Sequence, residues 1–184
     1  MNIITIEEFL DDVIEKNLFK DINTIQTYTK LLQDKGDING LIAYPIISAV
    51  ISGAELMGML TTPDCYYKNK NGKKDKHGFT YFCHNYMGKV YEEQKCDDIY
   101  KNIRNGIAHK YMINKPAIIY RFHKEKHLSS DENGILTISA DQFYDDFVNG
   151  YKLYRTKLSL VDNILRQIGD KRLKDLIKDN SRYA

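Results

Sequence analysis

Between residues 41 and 60 the chain reads LIAYPIISAVISGAELMGML, and a helix drawn through it is apolar on nearly every face. Such a helix is normally surrounded by other helices, so this stretch predicts the centre of a bundle. Its uncharged run, Leu41 to Ala54, stops at Glu55 and falls short of the about 20 apolar residues that span a bilayer. A core helix, not a membrane anchor, is expected. Ser48, Ser52, Gly53 and Gly58 would let a neighbouring helix approach closely.

A chain of 184 residues builds one well-cored domain comfortably and two with difficulty. With 42% hydrophobic and 28% charged residues it reads as ordered and globular, not disordered. A net charge of +2 demands no polyanion, so any nucleic-acid role has to come from local clustering. Cys65, Cys83 and Cys96 form no CxxC pair, which argues against a disulfide framework and for reduced cysteines in a cytoplasm. Cys83, His84, Cys96 and His77 lack any standard metal-ligand spacing, and no metal or cofactor is expected. Met1-Asn2-Ile3-Ile4-Thr5 leads straight into an acidic helix, so no signal peptide is expected.

Helical patterning dominates the remainder. Thr5-Ile6-Glu7-Glu8 is a capping box, followed at helical spacing by Ile6, Phe9, Leu10, Val13 and Ile14. A second helix carries Ile22, Ile25, Tyr28, Leu31 and Leu32 and stops at Gly36. Residues 61–78 form a loop in which Lys68, Lys70, Lys73, Lys74 and Lys76 outnumber the acids; it is either a solvated loop or a clamp for an RNA backbone. Phe79, Phe82, Tyr86 and Val90 mark a further helix, and Ile99, Ile103 and Ile107 the next. After Pro116, AIIYRFH and GILTIS read as two strands of a hairpin joined through Ser129 to Gly134. Ser139-Ala140-Asp141-Gln142 is a second capping box, opening a long helix from Phe143 to Ile168 that Gly169 ends. The predicted architecture is mainly all-α: a helical bundle with one small β-hairpin before a long C-terminal helix.

IYKNIRNGIAHKYM, residues 99–112, is where chemistry gathers. At about 100° per residue Ile103 and Ile107 fall beside Ile99, whereas Asn105 and His109 lie roughly opposite, at about 240° and 280°. Arg104 sits on a flank. Extending the helix would bring Lys110 onto the isoleucine stripe, so a bend or an end is expected near His109. A guanidinium grips phosphate oxygens through two parallel bonds, and an imidazole exchanges protons near neutral pH. Together they suit metal-free RNA cleavage, with His109 taking the 2′-hydroxyl proton, Arg104 steadying charge on the phosphate and Asn105 orienting either. Tyr111 is a candidate substrate contact. Glu55, the one charge in the apolar helix, is expected to enter the interior and pair with Arg104 or with His109.

RNGIAHKY, residues 104–111, resembles the Arg-x(4–6)-His motif of HEPN domains (higher eukaryotes and prokaryotes nucleotide-binding), in which Asn commonly follows the Arg. Arg121 and His127 match that spacing too, but AIIYRFH reads as a strand and lacks the Asn. The resemblance implies an all-α core over about residues 5–115, with the hairpin at 117–138 and the helices at 140–184 as additions. It implies a homodimer whose two motifs line a shared cleft, and a metal-independent RNase of a toxin–antitoxin or anti-phage system. It also leaves room for a HEPN-like module that binds nucleotide or RNA without cleavage, or serves as an interaction protein. Among the implied partners are RNA, a second copy and an antitoxin or other defence protein.

Overall fold

Thr5 starts the first helix as its residue type requires: the Glu8 amide donates to Thr5 Oγ1 and the Thr5 amide to Glu8 Oε2, each at 3.2 Å. A computed structural model describes residues 5–34, 43–63, 77–110, 117–121, 124–160 and 164–180. Helix α1 covers residues 6–34 without a break, α-helical over Ile6–Phe9 and Lys20–Asp34 and π-helical over Leu10–Phe19. Two separate helices were expected here. Apolar residues stand at every fourth position, Ile6, Leu10, Ile14, Leu18 and Ile22. In a pure α-helix such a row drifts by about 40° at each step. The wider π turn cancels that drift, so one helix keeps the whole row against the core.

Helix α2, Ala43–Thr61, is the centre: it packs against α1 and against the helical stretches at 77–82, 99–110, 140–158 and 164–180. By length and composition alone its 19 residues could cross a membrane, at a mean hydropathy of 1.4. Its apolar faces are instead covered by protein: Ile46, Ile47, Val50, Ile51, Ala54, Met57 and Leu60 are all buried. Any Cβ at Gly58 would collide with the Gly78 carbonyl, so this glycine lets two backbones touch. One narrow stripe, through Ser48, Ser52, Glu55 and Met59, stays at or near the surface. Ser52 faces solvent, not a neighbour.

Helix α3 covers residues 77–87 and halts at Gly88, whose φ of 133° few other residues adopt. Val90 lies beyond that end and is exposed, whereas Tyr91 takes the core position. Helix α4 covers residues 93–110, π-helical over Ile99–Arg104 and α-helical over Asn105–Lys110. Cys96, Ile99, Ile103 and Ile107 bury its inner face.

The expected hairpin is not one. Strands β1, Ala117–Tyr120, and β2, Leu136–Ser139, pair in parallel, with Ala117 opposite Leu136 and Tyr120 opposite Ser139. The polar turn does reverse the chain: Asp131 Oδ1 accepts from the amides of Asn133 and Ile135 at 2.9 and 2.8 Å. But the segment it folds onto β2 is Leu128–Ser130, through Leu128 N to Thr137 O and Thr137 N to Ser129 O, both 2.8 Å. Residues 121–135 thus act as the crossover that parallel strands need.

Ser139 caps helix α5, Ala140–Leu158, by accepting from the Gln142 amide at 3.3 Å. The Gln142 side chain reaches Asp146 at 2.7 Å in place of closing the expected box. Phe143, Phe147, Tyr151 and Tyr154 bury one face of α5, and Phe19 of α1 meets Phe147 and Tyr151 edge-on at 5.8 and 5.0 Å. Helix α5 ends at Ser159, well before Gly169. That glycine lies inside helix α6, Ile164–Asn180, where a Cβ would crowd Ile6 at 3.0 Å. It serves close packing, not termination.

Candidate functional site

The surface stripe of α2 and the π-helical stretch of α4 run side by side, and four side chains meet there. Arg104 Nη2 lies 3.4 Å from Glu55 Oε2, and Arg104 Nη1 donates to Asn105 Oδ1 at 3.2 Å. Tyr100 donates its hydroxyl to Glu55 Oε1 at 2.7 Å, and its ring lies beneath the guanidinium with Cζ 5.2 Å from the centroid. Phe79, buried at 1% exposure, braces that ring at 5.6 Å.

The approach of Glu55 to Arg104 is therefore present, but not in the interior. The two side chains are 31% and 34% exposed, because Glu55 stands on the one stripe of α2 that α3, α5 and α6 leave open. Asn105 is half-buried, and its Oδ1 accepts from Arg104. Helix α4 continues to Lys110, so its backbone carries His109 one turn beyond Asn105. The His109 side chain lies outside the described residues, as do Lys68, Lys70, Lys73, Lys74, Lys76 and Tyr111.

Tyr100 was not singled out from sequence. It is one of 14 tyrosines, and the signal that could have found it is its position four residues before Arg104 on a helix.

The second Arg–His spacing is structural. Arg121 is 3% exposed and forks onto Asp141, with Nε to Oδ2 and Nη2 to Oδ1 both at 3.0 Å. His127 Nδ1 accepts from the Ser139 amide at 3.2 Å, which leaves its proton on Nε2, 2.9 Å from the Tyr91 hydroxyl. Tyr91 donates onward to Asp146 at 2.7 Å. Each member of this network is satisfied, and burial lowers His127 from 6.5 to about 4. Cys83 and Cys96 are both free and buried, and burial pushes the Cys83 thiol up, so it stays protonated. Among the described residues no three His, Cys, Asp or Glu side chains gather as metal ligands. An open groove of about 630 Å³ between α1 and α5 contains none of the motif residues. Two of its hydroxyls are already spent, Tyr151 on Glu15 at 2.7 Å and Tyr144 on Asn23 at 3.1 Å.

No family model, curated protein or solved structure matches this chain. Chemistry at the α2–α4 seam has to be argued from its own geometry. That seam offers a half-exposed guanidinium, oriented from two sides, on a helix whose next turn carries a histidine.

Proposed function

We propose that the α2–α4 seam is a HEPN-type, metal-independent RNA-cleaving site. The observation that carries the reading is the setting of Arg104, which Glu55, Asn105 and the Tyr100 face keep at the surface instead of burying it. A guanidinium kept accessible in this way is suited to a phosphodiester. In the proposed reaction His109 accepts the ribose 2′-hydroxyl proton, and the freed oxygen attacks phosphorus. The bond to the 5′-oxygen breaks, that oxygen takes up a proton, and a 2′,3′-cyclic phosphate remains. Arg104 stabilises the charge that builds on the phosphoryl oxygens, and Asn105 keeps the guanidinium in plane.

A second copy of the chain, related by a two-fold axis, would bring two motifs into one cleft and supply a second histidine for the leaving oxygen. Lys68, Lys70, Lys73, Lys74 and Lys76 are the proposed contacts to flanking phosphates, and Tyr111 to the substrate. The proposed setting is a cytoplasmic toxin or anti-phage protein with RNA as substrate and an antitoxin or other defence protein as partner. Buried free Cys83 and Cys96 support a reducing compartment.

The same ion pair supports a second reading, in which Arg104 binds nucleotide or RNA without cleavage. Purified protein incubated with RNA in EDTA separates the two. Cleavage that survives the chelator and slows by roughly 10² to 10⁴ in His109→Ala supports catalysis. Retention of RNA without cleavage supports the binding module.

A further inference from the structure

Glu55 presents its two oxygens to two different partners, and the two bonds are unequal. The Tyr100 hydroxyl sits at 2.7 Å from Oε1, within the usual range of a charge-assisted O–H···O bond, about 2.5–2.7 Å. Arg104 Nη2 stands 3.4 Å from Oε2, well outside the roughly 2.7–2.9 Å of a tight guanidinium–carboxylate bond. The carboxylate is thus anchored by the neutral tyrosine and only loosely held to the cation. The guanidinium also lies over the Tyr100 ring, with Cζ 5.2 Å from the centroid, and this non-directional attraction to the ring face tolerates a shift of the cation. Phe79 packs against that ring at 5.6 Å.

We propose that Tyr100 is a positioning residue that lets Arg104 exchange its hold from Glu55 to a phosphodiester oxygen. This rests on the phosphate-handling role proposed above for Arg104. When Arg104 leaves, Glu55 keeps the Tyr100 bond and is not stranded as a bare, half-desolvated carboxylate. When no substrate is present, Glu55 returns Arg104 to its starting place. Without the hydroxyl, Arg104 is the partner that Glu55 retains, and the ion pair tightens against the substrate.

The probe is an RNA oligonucleotide with 2′-O-methyl riboses, which carries the phosphodiesters but lacks the attacking hydroxyl. Its affinity is measured for the full chain, Tyr100→Phe, Glu55→Gln and the double variant, with melting curves for each. Tyr100→Phe keeps the ring and its contact with the cation. It is expected to weaken binding roughly two- to fivefold, the range of one partly exposed ion pair. The double variant is expected to bind as Glu55→Gln does, because the charge that competes for Arg104 is gone. A merely structural tyrosine would show no such rescue. Equal binding by Tyr100→Phe and the unsubstituted chain overturns the inference, as does a double variant as weak as Tyr100→Phe.

A double-mutant cycle on stability, Glu55→Gln against Arg104→Gln, separates this proposal from the functional reading. The Glu55–Arg104 coupling should be larger in the Tyr100→Phe background. An unchanged coupling, with oligonucleotide binding intact, overturns the role of Tyr100 alone. An unsubstituted chain that binds no oligonucleotide overturns the phosphate-handling reading and the exchange with it.

Discussion

Two of the arginine–carboxylate pairs in this molecule, Arg121–Asp141 and Arg104–Glu55, differ chiefly in how much water they see, and that difference decides what each is for. Arg121 and Asp141 are buried and doubly hydrogen-bonded, so removing one partner strands a charge. Asp141→Ala is expected to lower unfolding stability by about 3–5 kcal/mol in a denaturant titration. Glu55 and Arg104 are about a third exposed, and solvent screening reduces what their pairing contributes. Glu55→Gln should therefore leave stability within about 1 kcal/mol and oligonucleotide affinity undiminished while slowing cleavage, since Arg104 loses the carboxylate that returns it to its place. Glu55→Leu should cost more function again, because the Tyr100 hydroxyl and Arg104 Nη2 both lose the Glu55 acceptor. A Glu55→Gln variant with full activity would remove Glu55 from the site. That Glu55 needs a partner was legible from one charge in an apolar run, with Arg104 and His109 both open. Its surface position was not, since only the packed neighbours reveal which stripe of α2 they leave open.

At the scale of elements, the polar network of His127 fastens the crossover segment to the bundle through Tyr91 and Asp146 of α5. Burial holds His127 near 4 against an ordinary 6.5, so the unfolded chain takes up the proton first. The stability it protects is complete above about pH 6.5 and is lost as pH falls toward 4, on the order of 3 kcal/mol in all. Burial lifts Asp146 and acts in the opposite sense, so the readout is the difference between the unsubstituted chain and His127→Gln. Denaturant titrations from pH 7.5 to 4.5 should show a steeper fall for the unsubstituted chain, and parallel curves would contradict the assignment. Elsewhere the Gly58–Gly78 contact predicts that Gly58→Ala destabilises by about 1–3 kcal/mol or more despite better helix propensity. Helices were readable because their apolar rows are long and local. Parallel pairing of β1 with β2 was not, because Leu128–Ser130 intercepts the turn, and that depends on residues far from either strand's own pattern. The π-helical runs escaped for a similar reason: a four-residue row fits two short α-helices or one wider helix equally well.

For the whole molecule, a central α2 wrapped by the other helices accounts for the mainly helical fold and for the placing of Glu55 against α4. Arg104 and Asn105 were legible as candidates because they are neighbours in the motif, but their hydrogen bond was not, since helical spacing sets them about 100° apart; nor was Tyr100, since only the α2–α4 approach gives its hydroxyl an acceptor. If two copies share one cleft, light scattering at assay concentration should give twice the 21.5 kDa chain mass. A monomer with full activity would rule out the shared cleft. The central claim is that Arg104 and His109 cleave RNA without metal, and the ends of the products test it most directly. With EDTA present, the unsubstituted chain should leave 2′,3′-cyclic phosphates, and His109→Ala and Arg104→Ala should leave almost none. Cleavage that needs a divalent ion, or equal cyclic-phosphate yields from all three proteins, would contradict it.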